Sequence, residues 1–147
     1  MSTHSNIGIL GEDGKIEAVY CHNDGYLSGV GATLFFNYQE EGVKKLIKGG
    51  ALSALGSSSS STFYIRDGGE SLHDSNRSRT YSGITDYCHQ SHNYFYDPKK
   101  KEWFFIRQNN CMTLASALMR DGNISKEDKG RIRKFSLKQK INEIIGE

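Results

Sequence analysis

Ile7-Gly8-Ile9-Leu10, Gly11-Glu12-Asp13-Gly14 and Lys15-Ile16-Glu17-Ala18-Val19-Tyr20 follow one another near the start of the chain. The first is a short apolar run, the second an acidic turn ending in Asp-Gly, and the third alternates polar with apolar residues. Alternation is the mark of a strand with one buried face, and Asp-Gly accepts the left-handed backbone that a tight hairpin turn demands. The spacing predicts strands over 6–11 and 15–22, joined as a hairpin.

A second hairpin is written further along. Asn93-Tyr94-Phe95-Tyr96 and Glu102-Trp103-Phe104-Phe105-Ile106-Arg107 are aromatic runs, connected by Asp97-Pro98-Lys99-Lys100-Lys101. Proline presets the backbone angle of a turn's second position. The three lysines are expected to solvate the tip, with phosphate contact as the alternative. Thr62-Phe63-Tyr64-Ile65-Arg66 reads as one further strand, closed by Asp67-Gly68-Gly69.

Helical spacing appears at 29–38 (Val30, Leu34, Phe35, Tyr38) and at 40–48 (Val43, Leu46, Ile47), where Gly49-Gly50 supplies the stop. Ala51 to Leu55 reads as one more helical turn or a short connection, Gly56 to Ser61 as a flexible serine loop, and 70–86 as a long polar loop. Cys111 to Met119 reads as a helix. Ser125 caps a tail in which Ile132, Phe135, Leu137, Ile141, Ile144 and Ile145 are interleaved with Arg131, Arg133, Lys134, Lys138 and Lys140. The fold expected is α+β: an antiparallel sheet built from two hairpins plus one further strand, helices packed mainly on one face. Residues 1–121 form a single domain, and 122–147 a basic amphipathic helical extension that docks on the domain or on a second subunit, giving a homo-oligomer.

The totals narrow the function classes. The 147 residues suffice for a core that needs no metal or disulfide. Sixteen glycines against one proline exclude a proline-rich linker and predict many turns. Three cysteines, Cys21, Cys88 and Cys111, are too few and odd in number for a disulfide scaffold, so a reducing cytoplasm is expected. No apolar run approaches the ~18 residues of a membrane span, and the polar start lacks the pattern of a secretory signal, so no membrane association is expected. Residues 1–70 carry five basic and eight acidic side chains, whereas 71–147 carry fourteen and nine. That asymmetry is too weak for a dedicated nucleic-acid binder and too basic for a nucleic-acid mimic.

The most distinctive segment follows the first hairpin: Tyr20-Cys21-His22-Asn23-Asp24-Gly25-Tyr26-Leu27-Ser28-Gly29-Val30-Gly31. It resembles a family of small, mostly uncharacterised phage and prophage proteins with the signature Tyr-Cys-His-x-Asp-Gly-Tyr-x-x-Gly-Val-Gly. Leu52-Ser53-Ala54-Leu55-Gly56 and Tyr64-Ile65-Arg66-Asp67, with Glu70 after it, also look like that family. The resemblance covers roughly 5–70 well, the aromatic hairpin loosely, and the tail from about 122 not at all. It implies a phage-type protein made in an infected cell, but transfers no activity.

Cys21, His22 and Asp24 are a nucleophile, a base and an acid within four positions. Neighbouring strand residues point to opposite faces, which sets Cys21 and His22 apart as a catalytic pair. The structural expectation is a core cysteine, an Asp24 that caps the turn and a Gly25 with positive φ. The Gly29-Val30-Gly31 segment lacks the spacing of a phosphate loop, although the helix start beside His22 is a candidate anion site. Cys21, His22, Cys88, His89, His92 and Cys111 lack Cys-x2-Cys spacing, so neither a metal nor a cofactor is expected. Trp103, with Phe104 and Tyr94, is assigned to the core or to an exposed stacking face.

The favoured reading is a non-catalytic accessory protein for host takeover or counter-defence. It binds a host protein or a small nucleotide-like ligand through His22, Asp24, Gly25, Tyr26, Arg66, Asp67 and Trp103. The alternatives are a nucleotide-directed hydrolase or transferase centred on His22, Asp24 and Arg66, and a nucleic-acid accessory protein using the basic second half.

Overall fold

The computed structural model describes residues 3–65 and 77–145. Along the chain lie β1 (Ser5–Leu10), β2 (Ile16–Cys21), α1 (Ala32–Asn37), α2 (Glu40–Gly49), β3 (Leu52–Ala54), β4 (Phe63–Tyr64), β5 (Arg79–Tyr81), β6 (His92–Asp97), β7 (Glu102–Arg107), β8 (Asn110–Thr113), α3 (Leu114–Arg120) and α4 (Lys126–Ile144). A π-turn at Leu27–Gly31 leads into α1.

The class is α+β, but the sheet is mixed. Its order is β4-β3-β2-β1-β6-β7-β8, with β5 beside β2. Both expected hairpins form, β1–β2 and β6–β7. They join through a parallel seam between β1 and β6, and β2 also runs parallel to β3. An all-antiparallel sheet is therefore corrected. Parallel neighbours need a long crossover, and the stretch between the hairpins, which carries α1 and α2, provides one.

The β1–β2 turn closes with Gly11 N–H on the Lys15 carbonyl at 2.8 Å and Gly14 N–H on the Gly11 carbonyl at 3.0 Å. Gly14 takes a φ of 82°. This three-residue connection sets Leu10 opposite Ile16 and Ser5 opposite Cys21.

The helices share one face. Ile7, Val19, Cys21, Tyr94, Trp103 and Phe105 pack there with Leu34 of α1, Val43 and Leu46 of α2, Leu114 and Leu118 of α3, and Ile132 of α4. On the other face Ile16, Ala18, Phe95 and Ile106 are covered by the fully buried Tyr87, whose hydroxyl donates to the Tyr94 carbonyl at 2.7 Å. Beside this small cluster Asn6 lies in register with Asn93 across the seam. The Asn93 amide donates to the carbonyls of Gln90 (2.8 Å) and Ile106 (3.2 Å), so the buried amide is satisfied.

Several local expectations change. Ala51–Leu55 contains β3, not a helical turn, because Leu52 extends the sheet beside Cys21 and pairs with Tyr64. The serine segment is a short 3-10 turn at Ser59–Ser61, held by reciprocal Ser58 and Ser61 bonds. Its start is tied to the helices by the Tyr38 hydroxyl, which donates to the Gly56 carbonyl at 2.7 Å. The 70–86 stretch includes β5. Cys111 belongs to β8, because Gln108 and Asn109, both at positive φ, turn the chain back after β7. Paired left-handed residues are the tight hairpin geometry, and asparagine tolerates it.

Ser125 caps α4, accepting from Asp128 N–H at 3.1 Å. Ile132 is buried, the Phe135 ring meets Phe35 at 5.2 Å, and the Gln139 amide donates to the Lys101 carbonyl at 2.7 Å. Gly130 sits inside this helix, and a Cβ added to it meets nothing within 4 Å. Gly130→Ala is expected to raise the unfolding free energy by ~0.5–1 kcal/mol, read as a higher urea midpoint at unchanged slope.

Candidate functional site

The loop after β2 is built from the residues of the sequence signature. The backbone first runs beside β3, with His22 N–H on the Leu52 carbonyl at 2.9 Å and Asn23 N–H on the Ser53 carbonyl at 3.1 Å. Asp24, not Gly25 as expected, then takes the positive φ, at 59°, a left-handed conformation that short polar side chains tolerate better than others. Its carbonyl accepts from Val30 N–H at 2.8 Å and closes the loop on the π-turn.

The glycines are steric requirements. A Cβ at Gly25 falls 2.8 Å from the Thr3 carbonyl oxygen and from the Ser5 Cβ, and one at Gly29 falls on the Asp24 carbonyl oxygen. Gly25 N–H donates to the Thr3 carbonyl at 2.9 Å, while its own carbonyl accepts from the buried Tyr94 hydroxyl at 2.7 Å. Burial pushes the Tyr94 phenol well above its ordinary value, so it remains a donor.

On this frame stands a cluster of rings. His4 stacks on His22 with ring centres 4.6 Å apart and presents an edge to Tyr20 at 5.4 Å. The Tyr20 hydroxyl and His22 Nδ1 share a hydrogen bond of 2.9 Å. Tyr26 is 43% exposed, and its hydroxyl donates to Asp24 Oδ1 at 3.3 Å. The Asp24 charge, with that hydrogen bond, raises the Tyr26 phenol above its ordinary value. His22, Asp24 and Tyr26 are exposed and His4 and Tyr20 half-buried, so the cluster forms a ridge at the surface.

Cys21 belongs to the core. It is fully buried on the helix-covered face, while the next residue, His22, is exposed. Burial pushes its thiol up to about 11, and its Sγ donates to the Asn23 carbonyl at 3.5 Å. A nucleophilic cysteine needs a lowered value, so this thiol is inert at neutral pH. Two outcomes are expected. At neutral pH a thiol reagent labels exposed Cys88 and spares Cys21 unless the chain is unfolded. The pH dependence of stability has a definite sign: the contribution of this thiol is complete below its unfolded value near 9.0 and is lost as pH rises towards about 11. Urea unfolding at about pH 8 and about pH 10.5 reads this as a loss of up to ~2 kcal/mol, and Cys21→Ala reduces the loss.

The structure thus brings His22, Asp24, Gly25 and Tyr26 together on one turn. Arg66 and Asp67, with Glu70, lie outside the described residues. Trp103 lies elsewhere: it is 4% exposed, and its Nε1–H donates to the Tyr38 carbonyl at 2.9 Å within the core. Sequence reasoning missed His4 and the role of Tyr20. The signal for His4 was the hairpin register, which ends with Ser5 opposite Cys21 and leaves His4 and His22 as the next residue on either side. Elsewhere, His89 Nε2 is 3.9 Å from Asp86, and His92 Nδ1 shares a 2.9 Å hydrogen bond with Ser91. Among the described residues no three His, Cys, Asp or Glu side chains gather as a metal site, and no helix is long and apolar enough to cross a membrane. No protein-family model matches the chain, and neither a curated protein nor a solved structure matches it.

Proposed function

We propose that the protein is a small non-catalytic accessory protein that binds another protein through the ridge of His4, Tyr20, His22 and Tyr26. The observation that carries this reading is the form of the site: the exposed rings of His22 and Tyr26 on a loop braced by Gly25 and Tyr94, flanked by the half-buried His4 and Tyr20 and beside a buried cysteine that keeps its proton. Rigid amphipathic rings supply contact area at low entropic cost, and tyrosine is enriched at the centre of protein interfaces. Asp24 adds a charge at the rim that selects a partner by complementarity. With the resemblance to phage proteins, the partner is a host protein engaged during infection.

A photo-crosslinking residue at position 26, used in a bacterial host extract, is expected to capture a protein whose purified form then binds the chain directly. By calorimetry, His22→Ala and Tyr26→Ala each weaken that binding by about tenfold or more, and Cys21→Ser leaves it within about twofold. Turnover of a nucleotide that His22→Ala abolishes would replace this reading with the enzymatic one. Association with DNA or RNA that weakens steeply with salt would replace it with the nucleic-acid one.

A further inference from the structure

A groove of about 410 Å³ runs between α3 and α4. Ala115 and Met119 of α3 and Ile132 and Leu137 of α4 form its apolar lining. Its charged lining residues are Arg120, Arg133 and Lys140, and among the described residues no carboxylate lines it. Along α4, Arg133, Leu137, Lys140 and Ile144 follow one another at steps of four, three and four, which places them in one row. Leu137 is 59% exposed and Ile144 82%, while Phe135 and Gln139, on another face, hold the helix to the body. The apolar residues of the tail therefore divide between a docked face and a free one.

We propose that this groove is a docking site for an acidic amphipathic helix of a partner protein. An apolar floor between two helices, with polar edges, is the receptor form of helix-in-groove recognition. The row from Arg133 to Ile144 is about 16 Å long, which accommodates about three turns of helix. Charge chooses the occupant. A uniformly basic rim favours carboxylates on the incoming helix and disfavours a basic one. A second copy using the same surface brings Arg120, Arg133 and Lys140 against their own equivalents, so the rim opposes symmetric self-pairing. A bilayer covers the projecting Ile144 but cannot fill the concave floor at Ala115 and Met119. This surface is separate from the ring ridge, and its test is independent of the partner proposed there.

The experiment is selection of a displayed library of three- to four-turn helical peptides on the full chain. Enriched peptides are expected to carry Glu or Asp together with Leu, Ile or Phe at i, i+4, i+7 spacing. Their binding to Leu137→Asp, and to the paired Arg133→Glu and Lys140→Glu variant, falls by about tenfold or more, and it weakens as salt rises. All three altered residues are exposed, so the variants keep the fold, which circular dichroism verifies. The proposal is overturned by enrichment of neutral or basic peptides, by no enrichment, or by binding that the variants leave unchanged. Sedimentation showing self-association that Leu137→Asp abolishes assigns the surface to a second copy. Cosedimentation with anionic phosphatidylserine vesicles, abolished by Leu137→Asp without peptide binding, assigns it to lipid. Either outcome overturns the proposal.

Discussion

Trp103→Ala is expected to lower the unfolding free energy by roughly 3–5 kcal/mol in urea denaturation. The indole is almost wholly buried, its ring meets the edge of Tyr96 at 5.3 Å, and its N–H holds the Tyr38 carbonyl where α1 ends. Truncation removes the packing and strips a buried carbonyl of its donor at the corner between α1 and α2, and each loss is costly. Trp103→Phe loses the donor but keeps most of the ring packing, so its effect is smaller. Affinity for the partner proposed for the ring ridge is expected to be unchanged in the folded fraction of either variant. A loss below about 1 kcal/mol, together with weakened binding, returns Trp103 to the recognition surface assigned to it from the sequence.

Gly25→Ala is the second large effect. Its added methyl meets the Thr3 carbonyl, which Gly25 N–H itself holds, and the side chain of Ser5, which pairs with Cys21 in the hairpin, so backbone must move. Overpacking of this kind costs roughly 1–3 kcal/mol. The displaced strand end carries His4, which sits against His22, so binding through the ridge is expected to fall by about tenfold or more. Gly122→Ala is the matched control: its methyl meets nothing within 4 Å, and both stability and binding remain near wild type. Equal affinities for Gly25→Ala and the control in a titration count against the ridge as the interface.

What the sequence reveals depends on how local the cause is. The β1–β2 and β6–β7 hairpins and the end of α2 at Gly50, whose φ is 85°, follow from neighbouring residues and were legible. The parallel seam was not, since pairing Asn6 with Asn93 depends on where a long crossover leads. β3 escaped because three residues with a serine at the centre carry too little alternation, and only Cys21 and Tyr64 beside them make them a strand. The β7–β8 turn was hidden because Gln108-Asn109 lacks the glycine that usually marks left-handed turns. In the candidate site the consecutive residues His22 to Tyr26 stood out, while His4 needed the register. Trp103 was ambiguous by composition, since an indole serves a core and an interface equally well.

The seam has a consequence for how the molecule assembles. The β1–β2 hairpin and the β6–β7–β8 meander each close over short chain distances, so each can form quickly from its own segment. Joining them brings together residues 87 positions apart, as in the Asn6–Asn93 amide contact, and bears the entropy of closing the loop between them. The ring ridge inherits that timing. Its frame depends on Tyr94, which lies on the far side of the seam from Gly25 yet bonds its carbonyl. A folding chain is thus expected to have its hairpins before it has the proposed recognition surface, whose frame waits on the closing of the seam.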